Sequence, residues 1–389
     1  MQAGQILWLN YARLVPKQKT THKTAAFSNL KQIVKFPNGQ KLLSLSKTIE
    51  GSAEFKITDI RSDSPKTETL RLPEVRITRE ASAQAEQTPE VQLAPYKFTI
   101  SRVSADGSRA IVQRQAEDGF DWLLLDLNSP NNSQNLTEKF NLKFDEIAPL
   151  NDSSTQIIVR TDETVRLLSP YDNTLSASIL NKIVDFEIYS SDIIGFVQKN
   201  DDKFDVGVLK IGDKPVVVAR GYETVPKITV SRYYNENYIN VLVDNKIQIY
   251  KSSSWPAAEN NFKLARTLEP SIEAKSFKLN NEGRFVLVQN SDNIWVYDFE
   301  LDRPYAYSLD DKVNSARWLD DFILYDFTGS DEGGAMLTIR DFDGANKHPL
   351  VEANPNFPAF LSSDGKYIYV IQSGEDGVSQ LIQLRMILS

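Results

Sequence analysis

Cysteine is absent from the chain and histidine occurs twice, as His22 and His348. The first absence excludes disulfides, thiolate metal sites and thiol nucleophiles. The second leaves two isolated imidazoles in turn-like surroundings, from which no Ser-His-Asp grouping can be assembled. No stretch approaches the roughly 18 consecutive apolar residues that cross a bilayer. Met1-Gln2-Ala3-Gly4-Gln5 also lacks the basic region and apolar segment of a secretory leader. A β-rich run, Ile6-Leu7-Trp8-Leu9, begins almost at once, so the start reads as an internal boundary of a longer protein, with a cytosolic chain as the alternative. Acidic residues are missing from positions 1–49, which hold eight Lys or Arg, although the whole chain carries a net charge of −8. Lysine on solvated strand edges, where it discourages aggregation, accounts for that excess; contact with an anionic surface is the alternative.

What the chain has in quantity is a repeat. An apolar run, a polar turn, a second apolar run, a break and a third run recur about eight times. The clearest copy runs from Tyr96 to Val103, turns at Ser104-Ala105-Asp106-Gly107, continues through Arg109–Gln113 and resumes at Trp122–Leu127. Equivalent turns fall at Pro37–Gly39, Asn151–Ser153, Ser190–Asp192, Asn235–Asn237, Asn280–Gly283, Leu319–Asp321 and Ser362–Gly365. Their spacing is about 38 to 47 residues, the period of a four-stranded propeller blade, except for one interval of about 68 after Gly39. The polar, Pro-bounded stretch at about 78–95 accounts for the long interval and reads as an insertion between blades. These features predict an all-β fold with 1–389 as a single eight-bladed β-propeller, seven blades being the alternative. The last blade shows three strands of its own, so an N-terminal strand is expected to close it. Gln5–Leu14 is the run assigned to that place, because an unpaired edge there would leave a row of backbone donors and acceptors open.

Leu361-Ser362-Ser363-Asp364-Gly365-Lys366-Tyr367 and Val103-Ser104-Ala105-Asp106-Gly107-Ser108-Arg109 resemble the hairpin of TolB-type and WD-like propellers, and Asn135-Leu136-Thr137 is similar to the step that ends blades in that family. The Trp-Asp signature of true WD repeats is absent. The resemblance implies a fold and a binding platform, with no chemistry attached. Ile6-Leu7-Trp8-Leu9-Asn10-Tyr11-Ala12-Arg13-Leu14-Val15-Pro16 resembles the junction after a PEGA domain in bacterial envelope proteins. That likeness implies an extracytoplasmic propeller whose only link to the membrane is an anchor outside this sequence.

Catalytic signatures are missing. There is no Gly-x-Ser-x-Gly elbow, no sialidase Asp box, and neither the Trp-docking repeats nor the vicinal cysteines of eight-bladed quinoprotein dehydrogenases. Asp341-x-Asp343-Gly344-x-Asn346 comes nearest to a calcium loop but lacks the closing bidentate Glu, and Asp-Gly is ordinary turn chemistry. No catalytic residue, metal ligand or cofactor is therefore assigned. The expected role is non-enzymatic binding of a protein or an envelope polymer, with no nucleic acid, since the body of the chain is acidic. A glycan-active hydrolase or lyase using channel carboxylates is the alternative. Aromatic side chains near loops are the candidate contacts: Tyr233, Tyr234, Trp255, Tyr305 and Tyr307.

Overall fold

The computed structural model describes residues 21–47, 53–61, 65–72, 97–116, 119–255, 261–274, 276–309, 315–329, 335–374 and 377–386. They form eight antiparallel four-stranded sheets, the blades of a propeller. Blade 1 consists of Leu30–Lys35, Lys41–Lys47, Ala53–Asp59 and Lys66–Leu70 in spatial order, and blades 2 to 7 repeat that meander. Their innermost strands, in order, are Lys97–Val103, Glu146–Pro149, Ile183–Ser190, Lys227–Tyr233, Ser276–Leu279 and Arg317–Trp318. The insertion expected at 78–95 lies outside the described residues.

Blade 8 comprises Phe360–Leu361, Tyr367–Ser373 and Val378–Arg385, and its outermost strand comes from the other end of the chain. Thr21–Ser28 pairs antiparallel with Val378–Arg385, from Thr21 opposite Leu384 to Ser28 opposite Val378. The chain then turns at Asn29, with φ of 51°, straight into the inner strand of blade 1. Closure by an N-terminal strand is thus as expected, but the strand lies downstream of the assigned run, and Gln5–Leu14 falls outside the described residues. Thr21-His22-Lys23-Thr24-Ala25-Ala26 carries little apolar signal because an outermost strand keeps one face in water. Its one large apolar residue, Phe27, is fully buried among Leu30, Ile33, Leu42, Tyr369 and Leu381 and so joins the two ends of the ring.

Blades stack face to face, and each seam has its own apolar cluster. Leu242, Ile247 and Ile249 of blade 5, for example, meet Val286, Val288, Trp295 and Tyr297 of blade 6. Middle strands are sandwiched on both faces, hence the uninterrupted burial of Phe285–Gln289. Outer strands such as Arg303–Ser308 alternate between exposed and half-buried positions.

The turns follow local chemistry. In blade 2 the Ser104 hydroxyl donates to Asp106 Oδ1 at 2.8 Å and accepts from the Arg109 N–H at 2.9 Å. Blade 8 repeats the pattern with Ser362, Asp364 and the Tyr367 N–H at 2.7 and 3.0 Å. Gly107 and Gly365 both sit at φ of 70°, which a side chain would strain. The serine bond holds the Asp364 carboxyl down at about 2. One short helix, Leu136–Phe140, follows the outer strand of blade 2, where the Asn135 side chain caps it by accepting from the Glu138 N–H. Among the described residues no helix is long and apolar enough to cross a membrane.

Candidate functional site

A cleft of about 480 Å³ opens where the inner strands of blades 4, 5 and 6 converge. Blade 4 contributes Glu187, Ile188 and Tyr189, blade 5 contributes Thr229–Arg232, and blade 6 contributes Phe277–Asn281 with Gly283 from its inner hairpin turn. Strand alternation decides what each residue does. Phe186 and Ile188 pack back toward blade 3, which turns Glu187 and Tyr189 toward blade 5.

Glu187 carries a strongly perturbed carboxyl. Burial pushes it up to about 7, and Asp185 on the same strand pushes in the same direction; the Val230 N–H and Arg102 of blade 2 act against it. The Val230 N–H donates to Glu187 Oε2 at 3.2 Å, a bond between the inner strands of blades 4 and 5. Asp185 is also raised by burial, as is Glu146 of blade 3, whose partner Arg160 lies at 3.3 Å. Glu187 is the one carboxyl group among the described residues that line the cleft.

The walls differ in character from this floor. Arg232 and Lys278 are exposed, come from neighbouring blades, and form no ion pair with a described residue. Ser231 is 4% exposed, and its hydroxyl has no hydrogen-bond partner among the described residues. The close approach of the blade 6 turn explains Gly283. Its φ is 74°, and a Cβ there would stand 3.0 Å from Ser231 Cβ.

Three of the five expected aromatic contacts gather around this opening. Trp255 is half-buried and leans on Tyr189 of the cleft, ring centroids 5.4 Å apart, with Phe262 behind it at 6.2 Å. Tyr233 and Tyr234 continue directly from Ser231 and Arg232 into the blade 5 hairpin turn. Their rings lie 4.6 Å apart, and both hydroxyls donate to Glu300, at 2.9 and 3.3 Å. Tyr234 is 73% exposed and sits at φ of 52°, a conformation costly for a bulky residue. Tyr305 and Tyr307 do not line the cleft. They project from the outer strand of blade 6 into its seam with blade 7, where Tyr305 packs edge-on against Phe342 at 5.2 Å. Tyr307 lies where a Cβ on Gly344 would approach its ring at 2.7 Å, and burial raises its hydroxyl well above the usual range. Glu187, Ser231, Arg232 and Lys278 were not singled out from sequence. Their one signal is polar residues in alternation on the first strand of a blade, as in Val184-Asp185-Phe186-Glu187-Ile188.

No protein-family profile matches the chain, and no curated sequence does. Among solved structures, an oligogalacturonate lyase in complex with manganese is similar at a TM-score of 0.50 and 11% identity, over 93% of this chain and 99% of the other. The Dos1 propeller is similar at a TM-score of 0.51 and 15% identity, over 93% and 95%. At such identities the likeness is one of fold.

Proposed function

We propose that this propeller is a non-enzymatic interaction platform and that its partner, a protein or an envelope polymer, docks on the ring at blades 4 to 6. The cleft carries the proposal. It combines a buried hydroxyl without a partner among the described residues, two cations that pair with no described acidic residue and an aromatic rim, and it lies beside the strained, exposed Tyr234. A volume of about 480 Å³ falls within the roughly 300–1,000 Å³ of ligand pockets. The setting we propose is the outer side of a bacterial cytoplasmic membrane, on the resemblance of Ile6–Pro16 to a post-PEGA junction; cell fractionation tests it, and a purely cytosolic pool contradicts it.

Site-specific photo-crosslinking in the source cells tests the docking face. A benzoylphenylalanine in place of Tyr189 is expected to give a discrete adduct, whereas one in place of Leu264, 52% exposed on the outer edge of blade 5, is not. Adducts of equal yield at both positions, or at neither, would sink the proposal.

A second reading is supported by one observation: a carboxyl near 7 suits a general acid. A glycosidase needs a second carboxyl facing the first across the substrate at roughly 5 to 10 Å. Asp185, the nearest candidate on the strand, lies two residues away and does not line the cleft. Release of reducing ends from a glycan by the wild type, abolished by Glu187→Gln, would favour that reading.

A further inference from the structure

We infer that the cleft receives an acidic peptide segment of the partner, whose carboxylates reach Arg232, Lys278 and the Ser231 hydroxyl. This rests on the interaction role proposed above and gives it a ligand chemistry.

Charge is the first support. The chain carries 52 acidic against 44 basic residues, and several cations elsewhere in the ring have counter-charges close by. Arg284 meets Asp298 at 2.6 Å, Arg340 meets Asp326 at 2.5 Å, and Lys203 meets Glu223 at 2.8 Å. Arg232 and Lys278 form no ion pair with a described residue, and both lie in the lining of one cleft. The single carboxyl among the described residues of the lining is Glu187, and burial pushes it toward its neutral form. The groups around it are Asp185 and Tyr189 on its own strand, Arg102 from blade 2, Arg232 from blade 5 and Lys278 from blade 6. The cleft is therefore biased toward an anion, and more so as pH falls through about 7 and Glu187 takes up its proton.

Hydrogen bonding is the second. A buried hydroxyl without a partner among the described residues destabilises the protein, and Ser231 Oγ, in the lining of the same cleft as Arg232 and Lys278, becomes satisfied when it donates to a ligand oxygen.

Shape favours a peptide over an acidic sugar. Sugar rings stack on flat, open aromatic faces, whereas Trp255 and Tyr189 meet at 46° with Phe262 behind the indole. The inner strands also turn backbone toward the channel. Val230 pairs with Ile239, and in an antiparallel ladder a residue's N–H and C=O point to the same side. The Val230 N–H meets Glu187, so its C=O faces away from Ile239 as well. An extended peptide has N–H groups to offer such a carbonyl.

The test is fluorescence anisotropy with a fluorescein-labelled glutamate-rich octapeptide and its glutamine and lysine counterparts. The glutamate peptide should bind at least about tenfold more tightly than the glutamine one, and Arg232→Glu with Lys278→Glu should remove that preference, as loss of complementary charge does. Both residues are exposed, so the double variant should keep the wild-type melting curve, and it should now prefer the lysine peptide. Ser231→Ala should weaken the glutamate peptide severalfold. Equal binding of the glutamate and glutamine peptides, or binding that survives the double charge reversal, overturns the inference. So does displacement of the peptide by oligogalacturonate, which assigns the cleft to an acidic sugar. A Tyr189 crosslink that persists while the acidic peptide fails to bind leaves the interaction role standing and removes only the acidic ligand; loss of both removes both.

Discussion

Two kinds of seam in the ring solve the same problem with different chemistry. Between blades 1 and 2, Gln32 grips both backbone groups of Ile100, its amide N–H donating to the C=O at 2.8 Å and its Oε1 accepting from the N–H at 2.7 Å. Gln289 does the same for Ala316 between blades 6 and 7, with both bonds at 2.9 Å. Between blades 4 and 5 the gripping residue is an acid, and Glu187 takes only the N–H of Val230. An ionised carboxylate has nothing to donate to the carbonyl; a protonated one does. The amide seams are indifferent to pH, while the acid seam, which is also a wall of the cleft, responds to it. A buried group that an amide would satisfy better marks a place where stability has yielded to another demand, in keeping with a binding site.

The harshest way to break the comparison is to open the ring. Deleting Thr21–Ser28 strips Val378–Arg385 of its partner and removes Phe27, so the cooperative thermal transition should disappear; Phe27→Ala alone should cost about 3–5 kcal/mol in urea unfolding. A deletion variant that melts like the wild type would show that the seams hold without closure.

Next in size is Gln289→Ala. Gln289 is 3% exposed, and its loss leaves the N–H and C=O of Ala316 buried without partners, at about 2–3 kcal/mol by denaturant unfolding. A change below about 0.5 kcal/mol would mean that solvent reaches the seam.

Gln32→Glu then converts an amide seam into an acid one. It should destabilise by about 1–2 kcal/mol at pH 8 and by much less at pH 5, where the introduced acid can keep its proton and donate to Ile100. An equal loss at both pH values would show that donation to the carbonyl is not what matters.

Glu187→Gln is the reverse exchange. The folded state keeps the Glu187 proton up to about 7, whereas the unfolded chain releases it near the ordinary value of 4.5. Folding takes up a proton between those values, so wild-type stability falls as pH rises through that window and levels off above about 7. The glutamine variant should lose most of that slope and gain on the order of 1–2 kcal/mol at pH 8, with little change at pH 4.5. Melting curves at the two pH values measure this, and an unchanged slope would place the titrating group elsewhere, with Asp185 and Glu146 the next to examine.

The ring was readable because its causes are local. Ser-x-Asp-Gly turns close their own hydrogen bonds, and the doubly sandwiched middle strands are apolar throughout, as Phe285–Gln289 is. The closing strand was misplaced for a physical reason: Thr21–Ser28 is an outer edge with a single fully buried anchor, whereas Gln5–Leu14 has the stronger apolar pattern. The helix Leu136–Phe140 escaped notice because it is barely more than one turn and depends on the Asn135 cap and the apolar bed around Leu136. The site was less legible than the frame. Trp255, Tyr233 and Tyr234 stood out as aromatics in loops, but the same rule picked Tyr305 and Tyr307, whose strand turns them into a seam. Glu187, Ser231, Arg232 and Lys278 become a cleft only when strands some 45 residues apart are brought side by side, a contact that composition and periodicity do not encode.

A co-crystal structure with the glutamate-rich octapeptide tests the central claim most directly. Peptide density is expected between Tyr189 and Lys278, with a carboxylate oxygen at hydrogen-bond distance from Ser231 Oγ. Density at the opposite opening of the channel, or along the outer edges of the blades, would contradict it.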